Sequence, residues 1–379
     1  MKNDNQKTKN ERITNLMKRI SIFMLSTLAS LTYANQIKNP IDLNNQNTQL
    51  VQMTDDELAN TQGQALMNIT RTNDANQGLS FYRLGMEAEI AINANIKKLQ
   101  LGCGGSKGEG CDIDIDNVAL TGITTSDAQA AGVNTDFKLT NPFVEFAITD
   151  ADKASTRSIT GFRLGALKAL GMMSLGSNSD TLSLSDDTGI NSLSGDIGAR
   201  VTNATIKDLN ISVLGANLLT ADAKVDNYST TLIANRDTKF SLIGLRAVAT
   251  LNLFWPFNSI PLTLTNANVL DIPYKTAHRL QVSDLNGNPT SGAYLSLQSR
   301  DISWQNIDTK QWNAVSAKKG WWLSIPDTQF KDLNIDGSGT SISVTAAIGG
   351  IVFGAPVNLP ALDLGQKPVN NCYGALKFC

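Results

Sequence analysis

The chain has 379 residues, of which 41% are apolar and 17% charged, with a net charge of −2. That length suits one large or two modest domains, and the apolar share is too high for a disordered chain. The near-neutral balance excludes a polybasic nucleic-acid footprint across the whole chain. Charged residues fall below the usual share of about 25%, and uncharged Ser, Thr, Asn and Gln take their place. Such a composition suits a sheet-rich exported protein better than a helical cytoplasmic enzyme.

At the N-terminus, Lys18 and Arg19 precede the apolar run Ile20 to Leu31, and Thr32-Tyr33-Ala34 follows it. A charged segment, an apolar stretch and a small residue in that order predict a cleaved signal peptide over 1–34. Initiation at Met17 would give that signal a more ordinary length. The run is shorter than the roughly 20 residues a spanning helix needs. Residues 35–64 are expected to be a flexible segment carrying one short helix. Thr54 and Glu57 form a capping box for that helix, and Gly63 is placed to end it. Asp55-Asp-Glu-Leu58 leading to Gly63-Gln64 also looks like a double-glycine export leader, with the second glycine missing.

From residue 65 to 379 the signals are those of one β-rich domain. Phe81 to Ile96 alternates for much of its length, as do Phe143–Ile148, Ala204–Leu214, Ser259–Thr265 and Ser341–Thr345. Turn residues fall between them at Asn141-Pro142, Gly176–Asp180, Asn286-Gly287 and Asp336–Gly339. Gly161 to Leu175 could be helix, but its three glycines favour a strand. The expected architecture is mainly β, an extended antiparallel sandwich, roll or solenoid-like unit.

The stretch Leu99 to Asn117 holds two of the four cysteines and a tight cluster of glycines. Two strands joined by a glycine-rich loop, tied at its base by Cys103 and Cys111, is the simplest reading. Asp112, Asp114 and Asp116 then share one strand face, with Ile113 and Ile115 on the other. Cys372 and Cys379 are also close in sequence, so Cys103–Cys111 and Cys372–Cys379 is the economical pairing of the three that four cysteines allow. An oxidising compartment would keep both closed, and the CxxC spacing of a zinc site is absent.

Chemistry-bearing motifs are sparse. His278 is the single histidine, which leaves no zinc triad or haem-binding pair in one chain. Gly104-Gly-Ser106-Lys-Gly108 has the GxSxG pattern but lies in a glycine loop rather than a strand-to-helix turn. Asp112, Asp114 and Asp116 are a candidate calcium site or a solvated strand face; the EF-hand glycine and glutamate are replaced by Asn117 and Ile123. Phe254, Trp255 and Phe257, bent by Pro256, are a candidate interface, as are Trp321 and Trp322. The tryptophan group, which includes Trp304 and Trp312, is equally suited to packing inside a sheet structure. The apolar run Val344 to Val357 is a buried strand or a docking segment, too short to span a membrane. One phrase recurs, at Ile96–Leu101, Ile206–Ile211 and Phe330–Ile335: apolar, Lys, polar, Leu, polar, apolar. In a strand its last two apolar residues share one face, while the first needs a bulge or falls on the opposite face. The copies lie too far apart for a repeat array.

Asp55-Asp-Glu-Leu58, Gly63–Leu66, Leu84–Glu89, Ile96–Gly105, Gly110–Asn117 and Leu139–Phe143 together resemble a family of exported gammaproteobacterial surface proteins labelled as pilus-assembly, Fil-type. The resemblance is clearest over about residues 53–175. It implies an envelope or surface location and offers no catalytic residues to carry over. The expectation is a non-enzymatic surface or pilus-associated protein without cofactors, partnered by envelope or pilus proteins or by itself. The alternative is a periplasmic or outer-membrane-associated module that binds an apolar ligand between sheets.

Overall fold

The computed structural model describes residues 66–105, 107–123, 136–176, 189–202, 204–252, 260–273 and 276–331, with short pieces at 333, 335–338, 341–343, 345–346, 357–359 and 366. All belong to the compact unit Glu57–Cys379. The signal segment, the helix at 54–63, the turn after Gly176 and most of Val344–Val357 lie outside the described residues.

The fold is mainly β, as the alternation predicted. In chain order the strands are β1 (Met67–Asp74), β2 (Leu79–Met86), β3 (Glu89–Ile92), β4 (Ala94–Leu101), β5 (Ile113–Thr121), β6 (Phe137–Thr149) and β7 (Ser158–Gly176). There follow β8 (Ile190–Val201), β9 (Thr205–Val213), β10 (Ala216–Val225), β11 (Tyr228–Asp237), β12 (Lys239–Asn252) and β13 (Ile260–Pro273). The last are β14 (Thr276–Val282), β15 (Tyr294–Gln298), β16 (Gly320–Phe330), β17 (Ile335–Asp336), β18 (Ser341–Ser343) and β19 (Val357–Leu359).

The 19-residue β7 is the spine of a twelve-stranded sheet. Along one edge it pairs with β6 and then β5; along the other, with β15 and then β14. β14 and β15 run in the same direction and act as one interrupted strand, with residues 283–293 looped out between them and Thr290 still bridged to Ala169. The Asn286-Gly287 turn sits in that loop, where the Asp284 carboxylate accepts the Asn286 and Asn288 amides at 2.8 Å each. β14 and β15 also pair with β16, β16 runs parallel to β8, β8 pairs with β5, and β5 returns to β7. The sheet therefore closes into a ring of β7, β14, β16, β8 and β5 at one end of β7. At the other end it stays open as β1-β2-β6-β7-β15-β16. The parallel β8–β16 pair departs from the all-antiparallel expectation: 118 residues separate Val201 from Gly320, ample for the crossover a parallel pair requires.

Two local readings change. Asn141-Pro142 does not separate strands but lies inside β6. There β6 switches edge partner from β3 to β2, so the missing proline amide falls at a gap in the ladder. Asn141 takes the left-handed conformation (φ 50°) and donates its amide to the Ala88 carbonyl at 2.7 Å. The stretch Phe81–Ile96 is divided among β2, β3 and β4 rather than continuous.

A seven-stranded sheet, β17-β9-β10-β12-β13-β19 with β18 on β9, carries a second core. In β9 the recurring phrase buries Ile206, Leu209 and Ile211 together, and the register shift opposite Ala221 and Ala223 supplies the bulge that requires. The third copy ends on β17, where Ile335 stands beside Ile206. Val201, Phe240, Leu242 and Leu333 touch both cores.

Candidate functional site

Register places an apolar lane across the open end of the twelve-stranded sheet. Ile69, Leu84, Val144, Leu164, Leu295 and Leu323 stand opposite one another over six adjacent strands, so their side chains share a face. A second row, Tyr82, Phe146, Phe162, Leu297 and Trp321, runs beside it, with the Phe146 and Phe162 rings 5.6 Å apart.

This face continues into the ring because both β6 and β7 change parity at the same place. Leu139 pairs with Ala169 and Pro142 with Ala166, so the inward residues there are three apart instead of two. Asn141 makes that slip in β6. The result is a cavity of about 460 Å³, within the size range of small-molecule sites. Its inner end is walled by Phe137, Ala169, Met173, Val282 and Ile325, all buried. Its outer end is walled by Met67, Leu84, Ile90 and Leu164, which are 36–55% exposed. Tyr294 and Ser324 also border it, but their hydroxyls turn to Asn313 and Asp196 on the other face of the sheet, and no residue lining the cavity is charged.

The opposite face of the same strands is covered by residues 299–319. Trp304 and Trp322 are fully buried there with Phe81, Ala147 and Ile302. Phe81 stacks near Trp304 and Trp312, with ring centroids at 5.4 and 5.2 Å. In the middle lies Arg163, 4.9 Å from the Trp304 ring centroid and paired with Glu145 at 2.5 Å. Asp196 accepts the Trp322 indole N–H at 2.6 Å and the Ser324 hydroxyl at 2.9 Å. Burial pushes the Asp196 carboxyl up despite those donors. Burial first, and the Asp196 charge second, push the Tyr294 hydroxyl up to about 12. The Ser324 and Tyr294 hydroxyls thus belong to this covered polar cluster and not to the cavity. Glu145, Arg163 and Asp196 were not singled out from sequence, although a charge set among the apolar residues of Phe143–Ile148 was the available signal.

The glycine loop is built as expected, with Cys103 bonded to Cys111 and Ile113 and Ile115 buried. The three aspartates are each claimed by the protein's own cations. Asp112 is buried and holds Arg236 at 2.9 Å, Lys107 at 3.0 Å and the Trp321 amide at 2.9 Å. Gly102 and Gly320 both have positive φ, and a Cβ on either would fall inside the Asp112 carboxylate. Lys98 bridges Asp114 and Asp116 at 2.7 and 2.8 Å, with Asn191 donating to both. Among the described residues no group of three metal-ligating side chains is assembled to hold an ion.

Of the candidate interface residues, Trp322 faces the interior and Trp321 is half-buried beside Asp112. Phe254, Trp255, Phe257, Cys372, Cys379 and Ser106 lie outside the described residues. His278 lies on β14. Comparison with protein-family models, with curated proteins and with solved structures finds no match to this chain.

Proposed function

We propose that the protein is an exported, non-enzymatic module that holds an apolar ligand in the cavity at the mouth of the rolled sheet. The observation that supports this reading is the uncharged cavity opening onto an exposed apolar lane. Exposed apolar side chains grouped at the opening of an uncharged cavity are the usual setting of a ligand site. Leu164, 43% exposed at the outer end, can be made polar without disturbing the buried core. Native mass spectrometry of protein purified without detergent should show a non-covalent ligand extractable into organic solvent. The neutral probe N-phenylnaphthylamine should bind once that ligand is stripped, and the Leu84→Gln/Leu164→Gln double variant should bind it about tenfold more weakly. Stripped protein that fails to bind the probe would sink the proposal.

A structural role among envelope or pilus proteins is the second reading. The edge strand β1 favours it: its eight residues pair in unbroken register with β2, its own Met67 and Ile69 are exposed, and so is Leu66 just before it. Such an edge is a template for strand addition. Protease shaving of intact cells, with the sheared extracellular fraction probed for the protein, tests this. High-molecular-weight material in that fraction supports it, and protection until the outer membrane is opened overturns it.

A further inference from the structure

We infer that the ligand is a single-chain amphiphile, recognised by its alkyl chain alone and inserted methyl end first; this rests on the cavity being a binding site. Three features of the cavity lead there. Its inner end is sealed by the closed ring of strands and by buried Phe137, Met173 and Ile325, so a ligand enters and leaves by one end. Its wall carries no charge, and the hydroxyls of the two polar residues bordering it are turned to the other face of the sheet. The Ser324 hydroxyl already donates to Asp196, and the Tyr294 hydroxyl accepts from Asn313 at 3.5 Å. A carboxylate, phosphate or ammonium group drawn inside would leave water without an ionic partner, at a cost of several kcal/mol. The head group therefore stays at the mouth, beside Leu84, Ile90 and Leu164, where solvent reaches it.

The mouth offers a head group no ionic partner of either sign. Glu89 and Lys138, the sequence neighbours of Ile90 and its cross-strand partner Leu139, alternate to the other face of the sheet and pair with each other at 2.9 Å. A cation and an anion side by side present little net field to a head group of either sign. The volume of about 460 Å³ is at the small end of the range for ligand pockets, which fits one chain and excludes two full-length ones.

The test uses the full stripped protein and three families of ligand: alkyl carboxylates, alkanols and alkyltrimethylammonium ions, from decyl to octadecyl, below their aggregation concentrations. Within each family, displacement of N-phenylnaphthylamine should tighten about fourfold per added methylene, the worth of one buried CH₂, until the cavity is full. The length at which the gain stops should be the same for all three families. Members of equal length should agree within about threefold across head groups, the scale of exposed charge effects. A difference above about tenfold between head groups would overturn chain-only recognition while leaving the binding site intact. Tighter binding of a diacyl lipid than of its single-chain counterpart would overturn the single-chain inference. Failure of the probe and every ligand to bind would remove the binding site itself.

Discussion

Arg236 on β11 and Asp112 just before β5 are 124 positions apart and meet in a 2.9 Å ion pair inside the disulfide loop. The same guanidinium donates to the carbonyls of Gly102 at 3.2 Å and Glu109 at 2.9 Å. Arg236→Met keeps a long apolar stem and removes the donors. Asp112 would retain Lys107 and the Trp321 amide, so the loss should fall at or below the cost of breaking a buried pair, about 3–5 kcal/mol. Urea unfolding of both proteins measures it. A loss under about 0.5 kcal/mol would mean that the disulfide alone holds the loop.

Acid should weaken the same region. Burial works against ionised Asp112, Asp114 and Asp116, but the Trp321 amide with Arg236 and Lys107, and Lys98 with Asn191, outweigh it and hold all three below the ordinary aspartate value. A depressed folded-state value gives stabilisation that is complete above the unfolded value and lost as pH falls through the folded one. Unfolding free energy should therefore decline below about pH 4. The Asp114→Asn/Asp116→Asn variant should start lower at neutral pH and decline less steeply. Parallel curves for the two proteins would refute the assignment.

Asp196 has the opposite sign. Its folded-state value is raised by burial, so the ionised form costs stability at neutral pH, and stability recovers as pH falls through that value. Asp196→Asn removes the charge and keeps an oxygen for the Trp322 indole. Its melting midpoint at neutral pH should exceed the parent's by about 2–4 °C, the equivalent of roughly 1 kcal/mol. That advantage should shrink on mild acidification. A lower midpoint at neutral pH would show that the ionised carboxylate is the stabilising form.

The parallel pairing of β8 with β16 depends on Gly195 and Gly198. A Cβ on Gly198 would overlap the Pro326 carbonyl, and one on Gly195 the Leu323 carbonyl, both backbone atoms that cannot rotate away. Gly198→Ala should cost at least about 3 kcal/mol or prevent folding. The exposed Gly104→Ala, which meets nothing nearby but has φ 63°, should cost only about 1 kcal/mol. Equal losses in the two variants would contradict the close approach of the strands.

What the sequence made legible was local. Alternation identified the strands, the glycines of Gly161–Leu175 correctly argued for strand, and the spacing of Cys103 and Cys111 gave their bond. At Ile206–Ile211 the recurring phrase, which left a bulge or an opposite-face residue open, takes the bulge. The cavity was not legible, because it depends on which strands become neighbours. Leu84, Val144, Leu164 and Leu295 are ordinary apolar residues of four separate strands until register aligns them. Asn141-Pro142 misled for the same reason: its turn-like chemistry is used to shift parity within a strand, a role only its partners β2 and β3 reveal.

The place of β7 also bears on how the chain reaches this structure. Residue 165 is held on one edge by Phe143, only 22 positions earlier, and on the other by Tyr294, 129 positions later. The ring needs β16, which begins at Gly320, before β8 acquires its parallel neighbour. A chain emerging from N-terminus to C-terminus can build the β6–β7 hairpin early, but cannot roll the sheet until almost all of it has been delivered. Folding with such distant partners is intrinsically slow, and a protein that stays open until its last strands arrive keeps its apolar lane accessible throughout.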